Sequence, residues 1–228
     1  MARTGGRPRQ IESADIVRAG RELGLRNLSM NAVAARLGVS STALYRHVDG
    51  RWGLERLVGE SLLAELDLRD APGDGPVPHL LSTALQLRAF LLRHPGLTRY
   101  VQTLFPRGEG GRRLLATAAE SLVRRGYSTE AGIVLSAAVA SVAIGYAATE
   151  EAQFERVEGL DAQRQDVEEA LRSDTRLGEA QRALPTIDAD EYVRLWLGAA
   201  IRGFVEAAPP GRPVDEIRAA LRAAGEGQ

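Results

Sequence analysis

The sequence predicts an all-α protein, and three observations carry that expectation. Apolar residues recur at helical spacing along most of the chain. Glycine and proline cut the pattern into segments of helical length, and no segment sustains the alternation of a strand. No repeat of fixed period appears. With 228 residues and 44% hydrophobic content, the chain can build one or two helical domains with a real core.

Residues 1–10, with Arg3, Arg7 and Arg9 among glycine and proline, have no periodicity and read as a disordered arm. Such an arm is either a solvated tail or one that reaches the minor groove or a phosphate. A first helix is expected over 12–25, with Ser13 near its start and Ile16, Ala19 and Leu23 on its buried side. Residues 28–48 then read as two short helices joined by a tight turn. Val33, Ala34 and Leu37 recur at helical spacing in the first. Gly38 sits where the chain must turn left-handed, a conformation glycine adopts without penalty. Ser40 is placed to cap the second helix, whose buried stripe is Leu44 and Val48. The pattern is a helix-turn-helix, in which the second helix suits the major groove of DNA.

Further helices are expected over 52–68, 79–93, 96–104, 110–125, 129–156 and 188–207, broken by Pro95, Pro106, Gly126 and Pro185. Residues 69–78 form the clearest loop, rich in breakers. The charged stretch 158–184 reads as a mobile loop running into a helix over 166–184, and a last short helix follows Pro213. The expected division is an N-terminal arm and three-helix DNA-binding unit over 1–60, then a larger helical effector-binding and dimerisation domain over 61–228.

Composition narrows the chemistry. All 29 basic residues are arginine, which excludes a Walker-type phosphate loop and a Schiff-base lysine. Cysteine is absent, removing disulfides, thiolate metal sites and cysteine nucleophiles, and fitting a cytoplasmic setting. No run approaches about 20 apolar residues, so no membrane span is expected. The N-terminus has no apolar core of a secretory signal. The net charge of −1 hides an asymmetry. Residues 1–60 carry 10 arginines against 6 acids, a balance of +4, and the remainder carries 19 against 24, a balance of −5. A basic end on an acidic body suits an end-on DNA binder, whose affinity rests largely on phosphate contacts.

With Leu44 and Val48 inward, Ser41, Thr42, Tyr45 and Arg46 face outward with Ala43 among them. Serine and threonine discriminate base edges weakly, and Ala43 meets only a thymine methyl. Arg46 suits a bidentate contact to guanine or a phosphate. Ser29 and Asn31 open the preceding helix, where the helix dipole favours a phosphate; Asn31 is also a candidate for reading a base edge.

The segment Leu44-Tyr45-Arg46-His47-Val48, followed by Asp49-Gly50-Arg51 and Leu54-Glu55-Arg56-Leu57-Val58, closely resembles the TetR family of transcriptional regulators. The resemblance is specific over residues 11–66 and looser through the helical remainder. It implies a homodimeric repressor released from a palindromic operator by a small molecule. On the matching positions, Tyr45 and His47 would grip backbone phosphates, and Arg51 would clamp the flanking phosphate.

The segment 131–151 is crowded with small residues, among them Ser136, Ala137, Ala140, Ser141 and Gly145, which suit close packing against a symmetry mate or a monomer core. Leu195, Trp196, Ala199, Ala200, Ile201, Gly203 and Phe204 form a second apolar helix. In the family, two such helices from each subunit make a four-helix dimer interface, from which a palindromic operator follows. His94-Pro95-Gly96 and Gly126-Tyr127-Ser128 resemble the tetracycline-repressor branch. The His and Glu that hold magnesium there fall at Val101 and Thr149 here, so no metal and no cofactor is expected. The three histidines, at 47, 79 and 94, lack metal-ligand spacing, and His79 and His94 read as a helix start and a helix end. The effector pocket is expected to be largely apolar, with Leu87, Phe90, Val101, Phe105, Leu115, Val142, Tyr146 and Thr149 as candidates.

Two other readings compete. A catalyst finds no support in nucleotide fingerprints, a nucleophile elbow, a metal cluster or a spaced carboxylate pair; Glu150-Glu151 and Glu168-Glu169 read as solvated helix faces. A helical small-molecule-binding protein with a degenerate DNA motif remains open, because Ser, Thr and Ala carry little base-reading content. Activator and repressor are not distinguished.

Overall fold

A computed structural model describes residues 11–104, 108–154 and 159–225. Arg3, Arg7, Arg9 and Phe105 lie outside the described residues. The described residues contain twelve α-helices and no strand. The helices are α1 (Ser13–Leu23), α2 (Met30–Leu37), α3 (Ser41–Leu44), α4 (Gly50–Leu63), α5 (Pro76–Arg93) and α6 (Leu97–Leu104). They continue as α7 (Glu109–Val123), α8 (Thr129–Phe154), α9 (Leu160–Ser173), α10 (Gly178–Ala183), α11 (Ala189–Ala207) and α12 (Val214–Gly225).

The helix-turn-helix forms for the reasons visible in its residues. Ser29 caps α2 by accepting from the Ala32 amide at 3.1 Å. Gly38 then turns left-handed at φ 70°, with the Val39 amide closing onto the Ala34 carbonyl at 3.0 Å. Ser40 caps α3 through the Ala43 amide at 3.2 Å. The second helix is shorter than expected. It is regular over four residues and continues to Val48 as tight turns, with the His47 amide on the Leu44 carbonyl at 2.9 Å.

The fourth helix also ends early, at Leu63 rather than near 68. Arg113 from α7 supplies the stop: its guanidinium donates to the carbonyls of Ala64 at 2.9 Å and Leu66 at 2.8 Å. Those carbonyls would otherwise be orphaned at the helix end. The expected mobile loop and single helix in 158–184 are instead two helices. The Asp174 carboxylate accepts from the Arg176 and Leu177 amides, each at 2.8 Å, and breaks the helix there.

One core begins in the helix-turn-helix with Ile16, Val33 and Leu44 and continues along α4 (Leu54, Val58, Leu63). It runs on into Leu91 of α5, Leu97 and Tyr100 of α6, and Ala147 of α8. A second core joins α5, α7, α8, α11 and α12 through Leu80, Leu122, Val139, Leu197 and Ile217. The central helix is α8, packed chiefly on α5 and α7 and also touching α6, α11 and α12. By length and composition α8 is apolar enough to span a membrane, so the expectation that no such run exists was too strict. The run carries alanine, glycine and serine among its branched residues, which lowers its apparent apolarity on inspection. Here the small residues bring backbones together: a Cβ on Gly132 would lie 3.1 Å from the Ala119 carbonyl oxygen of α7.

Close approach also fixes α4 against α6. A Cβ on Gly59 would come within 2.5 Å of the Tyr100 ring, and Tyr100 is only 2% exposed. Gly59→Ala therefore gains helix propensity but must displace a packed ring, and a net loss of about 1–3 kcal/mol is expected. Urea unfolding measures it, and an unchanged or raised midpoint contradicts the close-packed α4–α6 contact.

Candidate nucleic-acid interface and apolar cavity

The helix-turn-helix presents a polar outer face. Thr42, Tyr45, Arg46 and His47 are exposed, Tyr45 by 60%, while Leu44 and Val48 are buried beneath them. Ser41 and Ala43 are half-buried at the rim of the same surface. The Ser41 hydroxyl donates to the Asn31 side-chain oxygen at 2.7 Å, tying the starts of α2 and α3 together. That bond engages the side-chain oxygen of Asn31, which is itself exposed. Ser29 is exposed beside it, though its oxygen is occupied by the cap. Arg51, opening α4, is exposed, pairs with Glu55 at 2.7 Å and lies over the Trp52 ring at 5.8 Å. The structure thus brings Ser29, Asn31, Ser41, Thr42, Ala43, Tyr45, Arg46 and His47 onto one small domain surface, with Arg51 in the first turn of the next helix.

Two carboxylates join this unit to the helical body. Glu60 of α4 accepts from the Tyr100 hydroxyl at 2.8 Å, the Gly108 amide at 3.0 Å and the Gly111 amide at 2.9 Å. It therefore caps the start of α7 while holding α6. Burial and this bond both push the Tyr100 phenol up, so it remains the donor. Glu151 near the end of α8 accepts from the Gly96 amide at 2.6 Å, from the Thr98 hydroxyl, and from Arg26 at 3.1 Å. Arg26 lies between α1 and α2, inside the helix-turn-helix unit.

Glu150 points elsewhere. It takes the Arg88 guanidinium at 2.7 Å, and Arg88 also reaches Asp190 of α11 at 2.8 Å. The reading of Glu150-Glu151 as a solvated face is corrected on both counts, because both side chains are largely buried and partnered. Glu168 is exposed and pairs with Arg172 at 3.1 Å.

A cavity of about 310 Å³ opens between α5, α7 and α8 and reaches the end of α4. Leu63, Leu66 and Leu68 wall it on the α4 side, Leu80 and Leu87 on α5, and Val101 on α6. Of the sequence candidates, Leu87, Val101 and Leu115 line it. Phe90 is buried in the core instead, Val142 and Tyr146 pack against the second core, and exposed Thr149 donates to the Gly145 carbonyl at 3.1 Å. The periodicity that marks an apolar helix face does not separate core from cavity wall.

The magnesium-holding positions of the tetracycline-repressor branch do not fit a cation here. Val101 is apolar, and the Thr149 hydroxyl bonds its own helix. Among the described residues, no group of three or more His, Cys, Asp and Glu is placed to hold a metal.

His79 borders the cavity with both nitrogens engaged. Its Nδ1 lies 3.0 Å from Asp70, and its Nε2 lies 2.7 Å from the Ser121 hydroxyl. The Ser–His–Asp order clamps the 69–75 loop rather than activating a serine. Asp70 is held by Arg125 at 2.6 Å and Arg124 at 2.8 Å, and Ser121 is 2% exposed. The Arg125 hydrogen bond, with Arg124 and His79, holds the Asp70 carboxyl well below the usual carboxylate range, against the opposing effect of burial.

No protein-family profile matches the sequence, and no curated relative matches it. Solved structures do. ActR of Streptomyces coelicolor in complex with actinorhodin aligns over 90% of this chain and 100% of that one, at 22% identity and a TM-score of 0.75. A variant of TetR from Acinetobacter baumannii AYE in complex with minocycline aligns over 90% and 98%, at 21% identity and 0.65. SCO7222, a TetR from Streptomyces coelicolor, aligns over 85% and 97%, at 22% identity and 0.61. At these identities the likeness is one of fold.

His79 yields a pH dependence. Burial first, and the Arg125 charge second, hold it below the ordinary histidine value of 6.5, with Asp70 opposing. The folded chain keeps it neutral, so the unfolded chain binds protons first as the pH falls. Stability is complete above the ordinary value and declines below it. His79→Gln should make the fall in the urea midpoint between about pH 7 and 5 shallower, with His94, also lowered by burial, keeping its own part. An unchanged slope contradicts a buried neutral His79.

Proposed function

We propose that this chain, which has the fold of TetR-family regulators, is a transcriptional regulator of that family. It binds double-stranded DNA through its N-terminal unit and is released by a small-molecule effector. The observation that carries the reading is the outer face of the helix-turn-helix. Thr42, Tyr45, Arg46 and His47 are exposed together above a fully buried Leu44, with no element of the chain covering them among the described residues. An intact cap at Ser29, the left-handed Gly38 and a cap at Ser40 also weigh against a decayed motif.

In this reading Arg46 contacts guanine or a phosphate, while Thr42, Ser41 and Ala43 meet base edges. Asn31 offers its amide to a base edge or phosphate. Tyr45, His47, Ser29 and Arg51 hold the backbone, Arg51 exchanging Glu55 for a phosphate oxygen. The unit is 1–60 and the effector and dimerisation domain 61–228. The regulator acts in the cytoplasm, as a repressor.

Homodimerisation is supported by the outward apolar residues of α8 and α11. Ile133 and Val134 on α8, and Leu195 and Trp196 on α11, are all exposed, Leu195 by 53% and Trp196 by 52%. A two-fold arrangement of these helices presents two recognition segments to a palindromic operator.

The effector site is the α5–α7–α8 cavity, and Leu87, Val101 and Leu115 are contacts there. The crystallised neighbours bound to actinorhodin and minocycline support a small-molecule ligand in this fold. Because Leu63 ends α4 in the cavity wall and Arg51 begins α4 beside the recognition segment, a ligand favouring a different α4 position shifts the spacing of the two DNA-binding units.

The test is binding to a fluorescent fragment of the chain's own promoter, titrated across salt, for the wild type and for Arg46→Ala combined with Tyr45→Ala. Selective binding with a steep salt slope is expected, and the double variant should lose roughly tenfold to a hundredfold in affinity. Equal, weak binding to any DNA favours instead a small-molecule-binding protein with a degenerate motif.

A further inference from the structure

Among the described residues, the wall of the cavity holds one fully buried hydroxyl without a partner, and Thr83 of α5 lines the cavity as well. Ser136 of α8 lines it, and its hydroxyl is buried with no hydrogen-bond partner. Other hydroxyls on the same helix follow the usual pattern of bonding one turn back. Ser141 donates to the Ala137 carbonyl at 2.8 Å, and Thr149 to the Gly145 carbonyl at 3.1 Å. Ser136 departs from its neighbours. A buried hydroxyl left unpaired is costly, and in a cavity the missing partner is naturally supplied by what fills it.

The rest of the wall defines that ligand. It is built mainly of leucine, valine, isoleucine and alanine. His79 has both ring nitrogens engaged by Asp70 and Ser121, and Ser141 is already bonded. Arg112 also lines the cavity, but it is exposed to solvent, where its charge is screened rather than presented in a dry wall. A volume of 310 Å³ is roughly twice that of the leucine-lined cavity known to accept one benzene ring.

We propose that Ser136 is the polar anchor of this cavity, and that its ligand is an uncharged molecule of two or three fused rings. That ligand carries a hydroxyl or ketone oxygen that meets the Ser136 hydroxyl. The proposal rests on reading the cavity as the effector site. Serine serves here because its hydroxyl both donates and accepts, so it satisfies either kind of oxygen.

The experiment is a fluorescence titration of the full chain, without DNA, by phenanthrene, 9-phenanthrol and phenanthrene-9-carboxylate, for the wild type and Ser136→Ala. The wild type should bind 9-phenanthrol about tenfold more tightly than phenanthrene, the size of effect one hydrogen bond gives. Ser136→Ala should bring that ratio close to one by weakening the phenanthrol while leaving phenanthrene unchanged. The carboxylate should bind more weakly than the phenanthrol in the wild type. The melting temperature of the ligand-free variant should equal or exceed that of the wild type, since alanine removes an unpartnered hydroxyl and favours the helix; a serine of merely structural value would lower it. A ratio preserved in Ser136→Ala overturns the proposal. So does tightest binding by the carboxylate, or failure of the wild type to bind either neutral probe. Each of those results leaves promoter binding untouched. A chain that fails on its promoter, but shows the Ser136-dependent ratio, separates the two readings in the other direction.

Discussion

The structure depends on α4 being held by its neighbours, and Glu60 does most of that holding. A single carboxylate on α4 accepts a phenol from α6 and two amides at the start of α7. Gly59 beside it removes the side chain that would keep the Tyr100 ring away. At the far end of α4, Arg113 gathers the terminal carbonyls. The amides at the start of α7 and the carbonyls past the end of α4 are groups that a helix end would otherwise leave unpaired, so those joints are both adhesive and directional. α4 cannot shift along its axis without breaking several of them together. Glu151 makes a parallel connection from α8 through the start of α6 to Arg26.

This arrangement gives the proposed regulation a physical route. The α3 segment is too short to bury itself, and Leu44 and Val48 gain their cover from a core that runs unbroken into α4. The orientation of the outer face is therefore set by α4 and by the Arg26–Glu151 link. The cavity meets that system at Leu63 and Leu66 on one side and at Val101 on the other, one residue from Tyr100. A ligand that alters the packing of those three side chains acts directly on the elements gripped by Glu60. No longer path through the body is needed, and two discrete positions of α4 suffice.

Much of the fold was legible in the sequence because its signals are local. Periodicity located the elements, and Gly38 and Ser40 marked the turn through backbone chemistry that acts within a few residues. Helix ends were less legible where tertiary partners decide them: α4 stops at Leu63 because Arg113, fifty residues later, takes its carbonyls, and the break at Asp174 depends on a side chain reading as ordinary surface charge. The joints were the least legible. Glu60 and Glu151 look like any acid on an amphipathic helix until the fold brings amides to them. Separation of cavity wall from core was also hidden, since Leu87 and Phe90 carry the same apolar signal. The absence of a partner at Ser136 has no sequence signature at all.

Hydrogen–deuterium exchange on the chain free and bound to its promoter fragment is the decisive measurement. DNA should slow exchange in peptides covering 29–51 and leave peptides from α9 and α12 unchanged. Slowing confined to the helical body, or none over 29–51 under conditions where DNA is bound, would contradict an interface on the helix-turn-helix.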